Sequence, residues 1–207
     1  MGLTTGRADR TPQELVTELR GLADVDWPIV WAGPPLPGQG LDLWCAQHAW
    51  TPLSFERVLQ VRTDTGGELV LNASGGRWAP VDSVSHWVWG AGAEKAEDNP
   101  TVLETADRAW PLYLTAACSV LGEPTWEGTW EAEDFPDTLG GLELADPEDR
   151  LDERDPYRLA YWLPRSGTGP LVVMAVALAV GTAHAEWDGA ANMSVTFRPR
   201  PVELEAM

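Results

Sequence analysis

The chain has 207 residues, 44% of them hydrophobic and 22% charged, so it is too apolar for a disordered tail and too long for a disulfide-stapled miniprotein. Fourteen Lys and Arg against 32 Asp and Glu leave a formal charge of −18. That balance argues against a broad phosphate-binding surface and against nucleic acid as a partner.

Thr11-Pro12-Gln13-Glu14 predicts a helix start, with threonine as cap, proline in the first turn and Glu14 reaching back to close a capping box. Leu15, Val16, Leu19 and Leu22 then share one face. Residues 27–40, broken by Pro28, Pro34, Pro35 and Pro37, read as an ordered loop, and Leu41–Ala49 as a second short helix ending before Pro52. From Phe55 the period falls to two. Strands are expected at Phe55–Arg62, Glu68–Asn72 and Val84–Trp89, with turns at Asp64-Thr65-Gly66-Gly67 and Ser74-Gly75-Gly76. Alternation puts Trp87 and Trp89 on one face and His86 with Val88 on the other.

Asn99-Pro100 opens the strongest helix, over Thr101–Leu121, which Pro111 is expected to kink or split and Gly122 to stop. A strand at Trp126–Trp130 follows. Residues 132–156, rich in Asp, Glu, Pro and Gly, read as a long acidic loop or insertion. Three strands close the chain: Tyr157–Leu163, Leu171–Val180 and Ala183–Phe197, the last interrupted at Asp188-Gly189 and the two before it separated by Ser166-Gly167-Thr168-Gly169. Leu171–Val180 lacks polar alternation and is expected in the sheet centre, covered on both faces. The order of elements gives a single α+β domain over 1–207, an antiparallel sheet of about six strands packed on two or three helices.

Arginine outnumbers lysine 13 to 1 and Ile29 is the only isoleucine, a bias that looks like a GC-rich bacterial coding sequence. Twelve tryptophans exceed Phe and Tyr together, as core indoles or as a binding surface. Met1–Arg20 has no apolar run after basic residues, and the longest apolar stretch is too short to span a bilayer. A cytoplasmic protein with free thiols and no membrane partner is expected.

Chemical motifs are scarce. Cys45-x-x-His48 offers two soft ligands one helical turn apart, but no second pair completes a zinc site and no family context makes Cys45 a nucleophile. No Gly-x-Ser-x-Gly elbow or phosphate loop is present, and the Asp spacing does not match an EF-hand. No catalytic residue, metal site or cofactor is assigned. The regional signal is acidic: Glu123–Asp155 holds 13 acids and two arginines, 11 of the 18 excess negative charges. It reads either as a solvated loop or as an electrostatic platform for a basic protein. On the second reading Trp126 and Trp130 are the anchors, and Glu143, Asp146, Glu148, Asp149, Asp152, Glu153 and Asp155 form the charged rim.

The Trp50-Thr51-Pro52 stop after one helix and the Leu121-Gly122-Glu123-Pro124-Thr125 stop after the long one, each followed by strands, give a layout that resembles the small, acidic, Trp-rich immunity proteins of bacterial polymorphic toxin systems. The resemblance implies neutralisation by binding, with a toxin's active site occluded and no chemistry in the chain itself. Two alternatives stand beside it: a chaperone or adaptor in a secretion or phage-like assembly, with an exposed Trp surface, and a small-ligand binder or enzyme with a Trp-lined pocket.

Overall fold

Thr11 begins the first helix as its sequence requires: its hydroxyl accepts from the Glu14 amide, and Glu14 Oε2 accepts from the Thr11 amide at 2.8 Å. The computed structural model describes residues 4–5, 10–56, 58–74, 79–139, 142–144, 146–164, 169–179 and 189–200. In chain order these form β1 (Thr4–Thr5), α1 (Pro12–Ala23), α2 (Trp27–Ala32), α3 (Gln39–Gln47), β2 (Trp50–Phe55), β3 (Leu59–Thr63), β4 (Glu68–Ala73), β5 (Val81–Gly92) and α4 (Asn99–Leu121). The second half adds β6 (Trp126–Thr129), β7 (Thr138–Leu139), β8 (Leu142–Glu143), α5 (Pro147–Glu153), β9 (Arg158–Trp162), β10 (Leu171–Leu178) and β11 (Ala190–Arg198).

The architecture is α+β. Eight strands lie in the order β2-β3-β4-β5-β11-β10-β9-β6, every neighbour antiparallel, and β1 pairs with the far end of β5. Two meanders, β2 to β5 and β11 back to β6, are therefore joined side by side along β5 and β11. Helix α4 carries the chain from the centre of the sheet to its far edge. β10 is central, as expected of its apolar run.

Four expectations are corrected. The sheet has eight strands in its main order and not about six, because Trp50–Phe55 adds an edge strand despite Pro52. Phe55–Arg62 is not one strand but holds the end of β2 and most of β3; Pro52 sits within β2, which forms the sheet edge, where a missing N–H costs no ladder bond. Residues 27–32 form α2, because Pro28 falls in a helix's first turn. The segment 132–156 is not simply a loop: it contains the β7–β8 hairpin and α5. The turns expected at Ser74-Gly75-Gly76 and Ser166-Gly167-Thr168-Gly169, and the break at Asp188-Gly189, lie wholly or mostly outside the described residues.

α4 runs unsplit from Asn99 to Leu121 with Pro111 inside it, and Gly122 at φ 83° ends it, its N–H donating a hydrogen bond to the Cys118 carbonyl. It packs on α1 and, with it, covers one face of the sheet; α2 and α3 extend that layer over β5 and β2. Beneath lies the main core, including Leu15, Leu19, Val61, Leu69, Val84, Val102, Met174 and Val195. Charge is used sparingly at this layer: Arg158 on β9 holds Asp107 of α4 at 2.6 Å, and Tyr157 donates to the same carboxylate at 3.1 Å. Trp110 on α4 donates to Glu127 on β6 at 3.1 Å.

A bulge reassigns one tryptophan. Met193 faces Trp89 and its neighbour Ser194 faces Trp87, so Val88 is an extra residue in β5. Val88 and Trp89 consequently both pack against the main core, whereas Trp87 is 50% exposed. The strict alternation expected of the sequence fails at this bulge.

Candidate functional site

The acidic segment forms a flap on the opposite face of the sheet, over β6, β9 and β10. It begins at Trp126, whose ring meets Phe135 edge-to-face at 5.2 Å and whose Nε1 donates to Asp134 at 3.1 Å. Short backbone bonds, Ala132 to Thr129 and Phe135 to Ala132, fold the chain back so that Phe135 joins Leu139, Leu159 and Leu171 in a second, smaller core.

Asp146 caps α5, its carboxylate accepting from the Glu148 amide at 2.9 Å, with Pro147 in the first turn. Arg150, the one buried residue of α5, lies 4.1 Å over the Phe135 ring and donates to the Trp130 carbonyl. Arg154 takes the left-handed conformation that ends the helix, φ 54°, and sits 5.3 Å from the Trp130 ring. Both arginines of the segment are thus spent on aromatic contacts beneath the flap. The outward positions of α5 keep only acids and Leu151: Glu148, Asp149, Asp152 and Glu153 are exposed, as is Asp146.

The expected rim is therefore gathered on one short helix and its caps, with two qualifications of position. Asp155 is half-buried beyond the helix; burial pushes its carboxyl above the usual range, the Leu178 amide opposes this and Glu153 adds to it. Glu143 lies apart, in β8. Trp126 and Trp130 are half-buried and hold the flap to the sheet, which leaves them less free as anchors than their sequence positions suggest. Exposed Glu131, Glu133, Asp134 and Asp137 extend the acidic surface. The signal for them was their charge within the same segment; what the sequence did not reveal was that the chain folds back and brings them beside α5.

The other candidate chemistry separates. Cys45 is buried in α3, its thiol pushed up to about 11 by burial and by Asp42, which makes it a poor nucleophile at neutral pH. His48 sits between Trp44, which it meets edge-on, and Trp50, to which it is tilted, with ring centres 4.9 Å from each, and burial lowers its pKa. Among the described residues no group of three or more His, Cys, Asp and Glu is arranged to hold a metal, and no helix is long and apolar enough to cross a membrane. Cys118 is unpaired, as is Cys45.

Of the ten described tryptophans, five are buried, four are half-buried and only Trp87 is exposed, so the Trp surface required of an adaptor reduces to that residue among those described. A Trp-lined cavity does exist. About 780 Å³ in volume, it lies between the end of α1, the start of α2, the end of α4 and the ends of β9 and β11, with Trp27, Trp162 and Phe197 in its wall. Trp27 stacks on Phe197 at 4.9 Å and on Trp31 at 5.0 Å, and the Trp162 indole N–H is taken by the Gly122 carbonyl. No protein-family model, curated protein or solved structure matches this chain.

Proposed function

We propose that this chain is a non-catalytic protein-binding module of the immunity type, which neutralises a basic partner by occluding it. The observation that supports this reading is the bracing of α5. A solvated loop would scatter its carboxylates, whereas here a capped helix, pinned through Arg150 to Phe135, presents Asp146, Glu148, Asp149, Asp152 and Glu153 from a fixed base. Fixed carboxylates lose less entropy on meeting a cationic surface, and a field of one sign raises association rates by about 10- to 1,000-fold at low salt.

The test compares the parent chain with Glu148→Lys/Asp152→Lys as bait in the native cell, at about 0.1 M and about 1 M salt. One basic protein held by the parent at low salt, and lost both at high salt and with the variant, supports the reading. A partner retained equally by both baits, or a large assembly that survives high salt, overturns it.

The 780 Å³ cavity favours a second reading, a small-ligand binder, because its aromatic walls are of the kind that hold apolar ligands. Quenching of indole fluorescence by a panel of aromatic compounds, abolished in Trp27→Leu, is the outcome that reading requires.

A further inference from the structure

The acidic flap carries charge but little that is apolar enough to anchor a partner. Of the large apolar side chains exposed among the described residues, only Leu151 lies on it, and Trp126 and Trp130 are committed to holding it to the sheet. Charge raises association rates and selects partners, whereas the affinity of a tight interface comes mostly from a few large side chains buried at its centre. The apolar part of an interface built on the flap therefore has to lie beside it. The 780 Å³ cavity does.

Flap and cavity meet at one end of the sheet, where β9 finishes and β10 begins. Trp162 and Val172, paired there, belong to the main core under the helices. Their neighbours Leu163 and Leu171 turn to the other face, where Leu171 is one of the four buried residues of the flap core and Leu163 packs against it. Leu163 also lines the cavity, so the two share a wall. The aromatic floor is closed, with Trp27, Trp162 and Phe197 at most 5% exposed. What a partner meets is a half-buried apolar lining of Val25, Val120, Leu121, Leu163, Pro164 and Pro170. No Lys or Arg lines the cavity, while exposed Asp26 in its wall and exposed Glu123, two residues after Leu121, continue the flap's sign of charge along it.

We propose that this cavity is the apolar half of the partner interface: it receives a large apolar or aromatic side chain of the same basic protein that the flap attracts, carried on a surface where cations flank it. This inference rests on the reading of the chain as an immunity-type binding module. It reverses the roles expected of Trp126 and Trp130, since the partner brings the anchor and this chain supplies the pocket. Charge complementarity selects the occupant. A second copy of this chain, with its formal charge of −18, would set like charge against Asp26, Glu123 and the flap. A small apolar ligand would make no use of the acids braced beside it.

The test takes the basic protein that the parent chain retains at low salt, purified and titrated into the full chain by calorimetry at about 0.05, 0.1 and 0.2 M salt. Ala23→Trp, at an exposed position lining the cavity, fills it without removing a core contact. It is expected to weaken binding about tenfold or more at every salt concentration, with the dependence on salt unchanged. Glu148→Lys/Asp152→Lys on α5 is expected to flatten that dependence instead. Thr17→Trp, exposed on the same helix and outside the cavity, should bind as the parent does. Thermal melts establish whether Ala23→Trp folds; if it does not, Val120→Ser, expected to weaken binding severalfold, decides. Parent-like affinity in Ala23→Trp overturns this inference and leaves the flap reading standing, whereas absence of any salt-sensitive basic partner overturns both. A dimer of the free chain that Ala23→Trp dissociates, or a small apolar compound that fills the cavity without displacing the partner, gives the cavity another occupant and likewise overturns the inference.

Discussion

The two faces of the sheet are covered in different ways. The face beneath α1 and α4 is sealed by a large, continuous apolar core in which aliphatic residues from both meanders interlock. Among the described residues the opposite face is covered over β6, β9 and β10, by a flap whose core has four buried side chains and whose hold depends on aromatic contacts and two arginines. Burial of apolar area scales with the number of residues committed to it, so the first face carries most of the stability and the second is a locally stabilised addition. The charge distribution follows this division. The flap can be strongly acidic outside because its only cations are turned inward, whereas the helix layer admits charge chiefly where it is paired, as at Asp107 and Arg158.

The widest separation between the faces should appear on truncating one residue in each. Met174, fully buried in β10, faces the helix layer. Met174→Ala is expected to cost about 2–5 kcal/mol of global stability, read as a lower denaturant midpoint with the slope unchanged. Phe135→Ala should behave differently. It removes the ring that both Trp126 and Arg150 contact, and is expected to lower hydrogen-exchange protection across residues 126–155 by about 3 kcal/mol while the global midpoint moves much less. Equal losses of protection over the whole chain in both variants would show that the flap and the main core unfold as one unit.

Gly67→Ala sharpens the comparison within the helix-covered face, where a polar group is buried among apolar ones. A Cβ at position 67 would fall inside van der Waals contact of the buried Glu18 carboxyl, to which Thr63 and Thr65 donate. Displacing Glu18 from its two threonines is expected to cost about 1–3 kcal/mol, and Gly67→Ala/Glu18→Ala should recover part of that loss; a recovery of zero would remove the steric explanation.

The helix-covered face was largely legible in the sequence. The capping box at Thr11, the stripe of Leu15, Val16, Leu19 and Leu22, and the stop at Gly122 are local signals, and local geometry obeys them. Glu18 went unremarked although it falls inside that apolar stripe, three residues after Leu15, a position where an acid has to find buried partners. The flap was not legible in the same way. Proline and acid content read as loop, and nothing local indicates that Arg150 will turn towards a ring fifteen positions earlier in the chain. The bulge at Val88 was hidden for a similar reason, because it depends on how β11 pairs and not on the composition of β5. Of the candidate site, the acids were visible and their shared scaffold was not.

The smallest expected effect is a difference in acid response between the faces. His86 on β5 is 1% exposed, and its Nδ1–H donates to the Glu68 carbonyl at 2.9 Å, which leaves Nε2 buried without a partner. Burial lowers its pKa below 6.5, against the same backbone bond and Glu18, which raise it, while Arg10 lowers it further. The unfolded chain therefore binds this proton at a higher pH than the folded one. Stability should fall as pH drops through about 6.5 towards the depressed value, with a slope of at most about 1.4 kcal/mol per pH unit for the group. His48, also lowered by burial, acts in the same direction. Asp155 at the flap has the opposite sign: its raised pKa means that the folded form holds the proton more tightly, so its contribution declines as pH rises through the interval above 3.8. Denaturation curves between pH 7 and 5.5 should accordingly flatten in His86→Leu and keep the parent slope in Asp155→Asn. If the His86 variant keeps the full slope, His86 is not the source of the acid sensitivity.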